Sequence, residues 1–99
     1  MPTTETHYVL VVKQDCPTCA LVEPVIAELE SAGHSLEVWS QDNPDFPSCS
    51  SPVGDDRELG QSWQLKIETV PTVIRMQADT EIDRTVGWDR TEWLRLFEM

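Results

Sequence analysis

Five apolar residues in succession, Tyr8-Val9-Leu10-Val11-Val12, are followed three residues later by Cys16-Pro17-Thr18-Cys19, where a helical repeat begins at once. A run that is apolar at every position suits a strand covered on both faces, as in a sheet with helices packed on each side. The spacing predicts a helix over 17–32. Ala20, Leu21, Val25, Ile26 and Leu29 recur at helical intervals, Glu23, Glu28 and Glu30 fall mostly on the other side, and Gly33 supplies a stop. Pro24 removes one helical amide and should kink the axis without ending it, because the periodicity continues beyond it. Leu36-Glu37-Val38-Trp39-Ser40 then alternates as a strand. The crossover has the length of a right-handed βαβ unit, so the two strands should be parallel.

The stretch 41–56 holds Asn43-Pro44, Phe46-Pro47, Ser51-Pro52 and Gly54 and reads as a long irregular loop, which also carries Cys49. A short helix is expected over 56–65, burying Leu59, Trp63 and Leu65, with Gly60 weakening it. Thr72–Met76 and Glu81–Val86 are predicted strands of an antiparallel hairpin, closed by Gly87. Asp89 is placed to cap a last helix over 90–98, with Trp93, Leu94 and Phe97 as its apolar stripe. Trp39, Trp63, Trp88 and Trp93 read mostly as core fillers. The expected order is βαβαββα, an α/β fold with a mixed four-stranded sheet flanked by helices. At 99 residues the chain is long enough for one core, so residues 1–99 form a single domain.

Chemistry enters at the junction of the first strand and helix. With Cys16 at the N-cap and Pro17 at the first helical position, the unpaired amides and the positive end of the macrodipole face the Cys16 sulfur and favour its thiolate. Cys19 lies one turn further on, and a loop this short can close as a disulfide with little backbone movement. The pair reads as a reversible dithiol. Asp15 opposes thiolate formation through like charge, so Asp15, Pro17 and Thr18 are expected to modulate the site.

Eighteen acidic against seven basic side chains give a formal net charge of −11, which repels nucleic-acid phosphates and anionic membrane surfaces. The longest apolar runs fall far short of a membrane span, and Met1-Pro2-Thr3-Thr4-Glu5 has neither the basic nor the apolar region of a signal peptide. A cytoplasmic monomer is therefore expected. Three cysteines do not make a secreted disulfide framework, and in a reducing compartment a C-x-x-C is more often redox or metal chemistry.

The chain resembles the thioredoxin-like superfamily. Besides the position of the dithiol, Pro24 lies five residues after Cys19 where thioredoxins carry a helix-kinking proline, Val70-Pro71-Thr72 opens the third core strand, and Gly87 stands at a small-residue position before the last helix. The resemblance implies a cis bond at Pro71 facing the dithiol, a Val70 backbone that pairs with bound substrate, and a groove bordered by Gly87 and Trp88. It also implies thiol-disulfide exchange with Cys16 attacking and Cys19 resolving. The only redox group would be the Cys16–Cys19 disulfide itself, with no separate cofactor. Substrates would be disulfide-containing proteins or small thiols, and electrons would come from an external reductase or thiol. Two positions depart from the pattern: Asp15 replaces the aromatic residue that commonly precedes the nucleophile, and Leu10 replaces the buried acid that assists the second cysteine.

Two other readings stay open. One is a binding module or dedicated electron carrier of the same fold with little general reductase activity. The other is a zinc site of Cys16, Cys19 and Cys49 with His34 or His7. Taken singly, Cys49 is a surface thiol or a third redox partner, His34 a helix-terminus residue, and Glu23 a solvated residue or a candidate for proton transfer to Cys19.

Overall fold

The computed structural model describes residues 6–46, 53–78 and 80–97. Its elements run β1 (Thr6–Val12), α1 (Pro17–Ser31), β2 (Leu36–Ser40), β3 (Val53–Asp55), α2 (Gly60–Gln64), β4 (Thr72–Gln77), β5 (Thr80–Val86) and α3 (Arg90–Leu96). The strands form one mixed sheet in the order β3-β2-β1-β4-β5. β1 pairs parallel to β2 and antiparallel to β4, and β4 continues antiparallel to β5. The strand that carries the apolar run Tyr8–Val12 is thus the central one, as that run required.

Alternation along β1 divides the sheet's two faces. Tyr8, Leu10 and Val12 join Cys19, Val22, Ile26 and Leu29 of α1 and Trp93 and Leu96 of α3, with Phe97 beyond it, in one buried cluster. Val9 and Val11 point the other way and are equally buried. Leu10, at the position of the missing acid, therefore sits in a wholly apolar layer beside Cys19. Pro24 is exposed on α1, so its missing hydrogen bond faces solvent and the helix runs through it. At the end of the chain, the Asp89 carboxylate accepts from the Thr91 and Glu92 amides and starts α3 as expected, but Leu96 takes the buried place assigned to Leu94.

Two expectations about the elements themselves are corrected. The sheet has five strands, because β3 lies inside the stretch read as loop and pairs parallel to β2 with Gly54 opposite Trp39. The order is accordingly βαββαββα. Val-Gly-Asp has poor strand propensity, and what admits it is close approach: a Cβ on Gly54 would overlap the Trp39 ring.

The second correction concerns α2. It starts at Gly60, after Leu59 in the left-handed region at φ 62°, and leaves Leu59 48% and Trp63 83% exposed. Its buried residue is Ser62. The buried Asp56 carboxylate accepts from the Gln61 amide at 2.9 Å, the Ser62 amide at 3.0 Å and the Ser62 hydroxyl at 2.6 Å. These bonds satisfy the orphan donors of the helix start from outside the helix and turn its polar side inward. Of the four tryptophans only Trp93 is a fully buried filler; Trp39 and Trp88 are half-buried.

Candidate functional site

The site forms where β1 hands over to α1, at the carboxyl end of β1 and beside that of its parallel neighbour β2. Cys16 is the N-cap of α1 in extended conformation (φ −154°, ψ 110°), and Pro17 follows at the first helical position, where its lack of an N–H costs nothing. The Cys16 sulfur accepts the Cys19 amide at 3.3 Å, replacing the oxygen that usually caps a helix. Cys16 is half-buried, whereas Cys19 is enclosed by the apolar layer. The two thiols thus lie close together but in different surroundings.

The enclosure of Cys19 shows in its acidity. Burial pushes the Cys19 thiol up from its ordinary 9.0 to about 12; its hydrogen bond to Cys16 adds to the rise, and a hydrogen bond from the Lys13 backbone opposes it. A thiol of this acidity is thiolate to about one part in 10⁵ at pH 7. Brief iodoacetamide treatment at pH 7 should therefore label Cys16 and leave Cys19 almost untouched, as read by peptide mapping. Cys19 labelling should rise only as the pH climbs well above 9. Equal labelling at pH 7 in the folded protein would contradict the burial described here.

The loop before β4 closes the other side. The Val70–Pro71 peptide is cis, and the Cys16 thiol donates to the Val70 carbonyl at 3.8 Å. The Pro71 carbonyl accepts the Gly87 amide at 2.7 Å, with Gly87 at φ 79°, a conformation that favours glycine. The Gly87 carbonyl in turn accepts the Trp93 indole N–H at 3.0 Å, and the half-buried Trp88 ring meets Trp93 edge-on at 5.2 Å. Val70, Pro71, Gly87 and Trp88 are thereby linked to the dithiol through one chain of contacts that ends in the core. Asp15 and Pro17 are exposed and Thr18 half-buried beside it.

Among the described residues, the two histidines considered as zinc ligands lie away from these cysteines. His34 lies beyond the far end of α1, whose 15 residues separate it from Cys16 by about 22 Å at the helical rise. There it packs edge-on against Tyr8 and Phe97, 5.5 and 5.0 Å away. His7 sits near the start of β1, about 16 Å of strand from Val12. Cys49 lies outside the described residues. Among the described residues, no group of three or more histidine, cysteine, aspartate or glutamate side chains is placed to hold a metal ion.

Sequence reasoning passed over Asp42. Its carboxylate accepts the amides of Gln14 and Asp15, the two residues before Cys16, at 2.7 and 2.9 Å. An available signal was Asp42-Asn43-Pro44, a combination that favours side-chain-to-backbone turns at the end of a strand.

No family model and no curated protein matches this sequence. Solved structures do. StoA from Bacillus subtilis superposes with a TM-score of 0.72 at 13% identity, covering 99% of this chain and 85% of that one. The thioredoxin of Fasciola hepatica gives 0.71 at 15% identity, over 96% of this chain and 80% of that one. A poplar thioredoxin h gives 0.68 at 20% identity, over 96% and 75%. Identities this low speak for the fold alone. Joined to the sheet order and the position of the dithiol, they establish that this chain has the thioredoxin-like fold.

Proposed function

We propose that the protein is a thiol-disulfide oxidoreductase in which Cys16 attacks and Cys19 resolves. The observation that carries this is the contrast between a half-exposed sulfur at a helix start and a buried, strongly protonated thiol one turn on. The Cys16 thiolate attacks one sulfur of a substrate disulfide, that S–S bond breaks, and the departing sulfur takes up a proton. Cys19 then loses its proton and attacks the Cys16 sulfur. The mixed disulfide breaks, the second substrate thiol leaves, and the chain holds the Cys16–Cys19 disulfide after passing two electrons to the substrate. Its raised pKa keeps Cys19 inactive until a mixed disulfide forms beside it. The Val70 carbonyl and the groove bordered by Pro71, Gly87 and Trp88 present the substrate segment. A second protein dithiol or a small thiol returns the two electrons, as a reducing compartment such as the cytoplasm supplies. Among the described residues no helix is long and apolar enough to cross a membrane.

The exposed Asp15 beside Cys16 favours a narrower reading, a dedicated carrier that accepts few partners. Insulin reduction with dithiothreitol as electron source separates the two. A general oxidoreductase accelerates precipitation of the insulin B chain at least tenfold over dithiothreitol alone, whereas a dedicated carrier leaves the rate near background.

A further inference from the structure

The segment that delivers Cys16 belongs to no helix or strand. Between the end of β1 at Val12 and the start of α1 at Pro17 only a short turn intervenes, in which the Cys16 amide donates to the Gln14 carbonyl at 2.8 Å. The amides of Gln14 and Asp15 point away from the helix, toward the segment after β2. There the Asp42 carboxylate receives both: one oxygen accepts Gln14 at 2.7 Å and the other accepts Asp15 at 2.9 Å. The first oxygen also accepts the Asn43 amide at 2.7 Å and the Ser40 hydroxyl at 3.4 Å, so the carboxylate is itself held in place. The Asn43 side-chain amide donates to the Gln14 side chain at 2.9 Å, a second tie between the same segments. Burial opposes ionisation of Asp42, but the Asp15, Gln14 and Asn43 amides and the Ser40 hydroxyl outweigh it and hold the carboxyl below its ordinary 3.8. It is a carboxylate throughout the range in which thiols react.

We propose that Asp42 is the positioning residue of this dithiol: its carboxylate fixes the Gln14–Asp15 turn against the end of β2 and so fixes the line along which the Cys16 sulfur meets a substrate disulfide. The inference rests on the oxidoreductase reading above. Hydrogen bonds from backbone amides to an ionised carboxylate are stronger than neutral ones. Two of them spanning 27 and 28 residues of sequence tie the turn to the sheet through a contact that neither the dithiol nor the Val70–Pro71 segment supplies. In-line displacement at sulfur is sensitive to such placement, since a shift of about 1 Å can cost about 100-fold in rate. Alkylation by a small, freely diffusing reagent needs only an accessible thiolate.

The decisive comparison is Asp42→Ala against wild type in two reactions of the reduced protein, attack on insulin disulfides and alkylation of Cys16 by iodoacetamide, each followed across pH 6–9. Attack on insulin should fall about tenfold or more, while the alkylation rate and its pH profile stay within about twofold. Asp42→Asn, which keeps one acceptor oxygen, should recover part of the loss. It also carries the same comparison if the alanine variant does not fold. Insulin attack within twofold of wild type, or parallel losses in both reactions, overturns the assignment. Wild-type protein inert toward insulin defeats the general oxidoreductase reading and this inference with it, whereas active wild type with equally active variants defeats this inference alone.

Discussion

Cys16→Ser is expected to reduce disulfide exchange to the uncatalysed background, while Cys19→Ser should keep the first chemical step and lose the second. Serine at position 16 removes the half-exposed sulfur, and the other thiol of the pair, Cys19, is enclosed and held protonated, so it cannot stand in for the attacker. Serine at position 19 leaves the attacker in place and takes away the sulfur that would release it. Incubated with a disulfide substrate, this variant should accumulate a mixed disulfide through Cys16 that persists until an external thiol is added. Non-reducing electrophoresis and peptide mapping report both outcomes. A stable adduct through Cys49 in either variant would move the chemistry away from the Cys16–Cys19 pair.

The second large effect is structural. Trp93→Ala should destabilise the protein by about 3–5 kcal/mol, the usual cost of truncating a buried aromatic to alanine. The indole is 1% exposed, stacks toward Phe97 at 6.4 Å, meets Trp88 at 5.2 Å and donates its N–H to the Gly87 carbonyl. A domain of this size is stable by only about 5–15 kcal/mol, so the loss is a large part of the whole. Trp93→Phe keeps most of the apolar volume and gives up the hydrogen bond to Gly87, so a smaller loss of about 1–2 kcal/mol is expected. Urea denaturation of the three proteins reads these differences. A change below about 1 kcal/mol for the alanine variant would mean that Trp93 does not fill the core as described.

Much of this architecture is legible in the sequence because hydrophobic burial writes itself as periodicity. β1 carries the continuous apolar run Tyr8–Val12 because it is central and covered on both faces, and α1 shows its buried side through Ile26 and Leu29, although Cys19 and Val22 fill the core where Ala20 and Leu21 were expected and those two are exposed. The cap at Asp89 is visible because the side chain that starts the helix also immediately precedes it. The failures share a different cause. β3 depends on Gly54 lying under Trp39, a contact between residues 15 apart that no local propensity reports. α2 is organised by a carboxylate four residues upstream of its first residue, so polar satisfaction displaced the apolar face suggested by Leu59 and Trp63. Asp42-Asn43-Pro44 signals a turn locally, but the acceptor role of Asp42 toward Gln14 and Asp15 appears only when the ends of β1 and β2 are brought side by side. Motifs whose chemistry is carried by neighbours along the chain can be read directly. Those assembled by tertiary contact need the fold.

The open rims of the sheet are unequal, and this bears on how the protein behaves when crowded. β3 ends one rim with three residues, too short a template for another chain to extend. β5 ends the other with seven, and Ile82 and Val86 stand exposed along it. Its protection is electrostatic: Glu81 and Asp83 lie on this rim, paired with Arg84 and Arg95. Hydrogen bonding to those arginines lowers both pKa values, so the two carboxylates keep their charge into more acidic solution than ordinary carboxylates do. As the medium approaches the sequence isoelectric point of 4.3, repulsion between whole molecules fades while this strip remains charged. Fibrillar stacking along β5 is thereby discouraged under the very conditions in which precipitation of the native protein becomes easy.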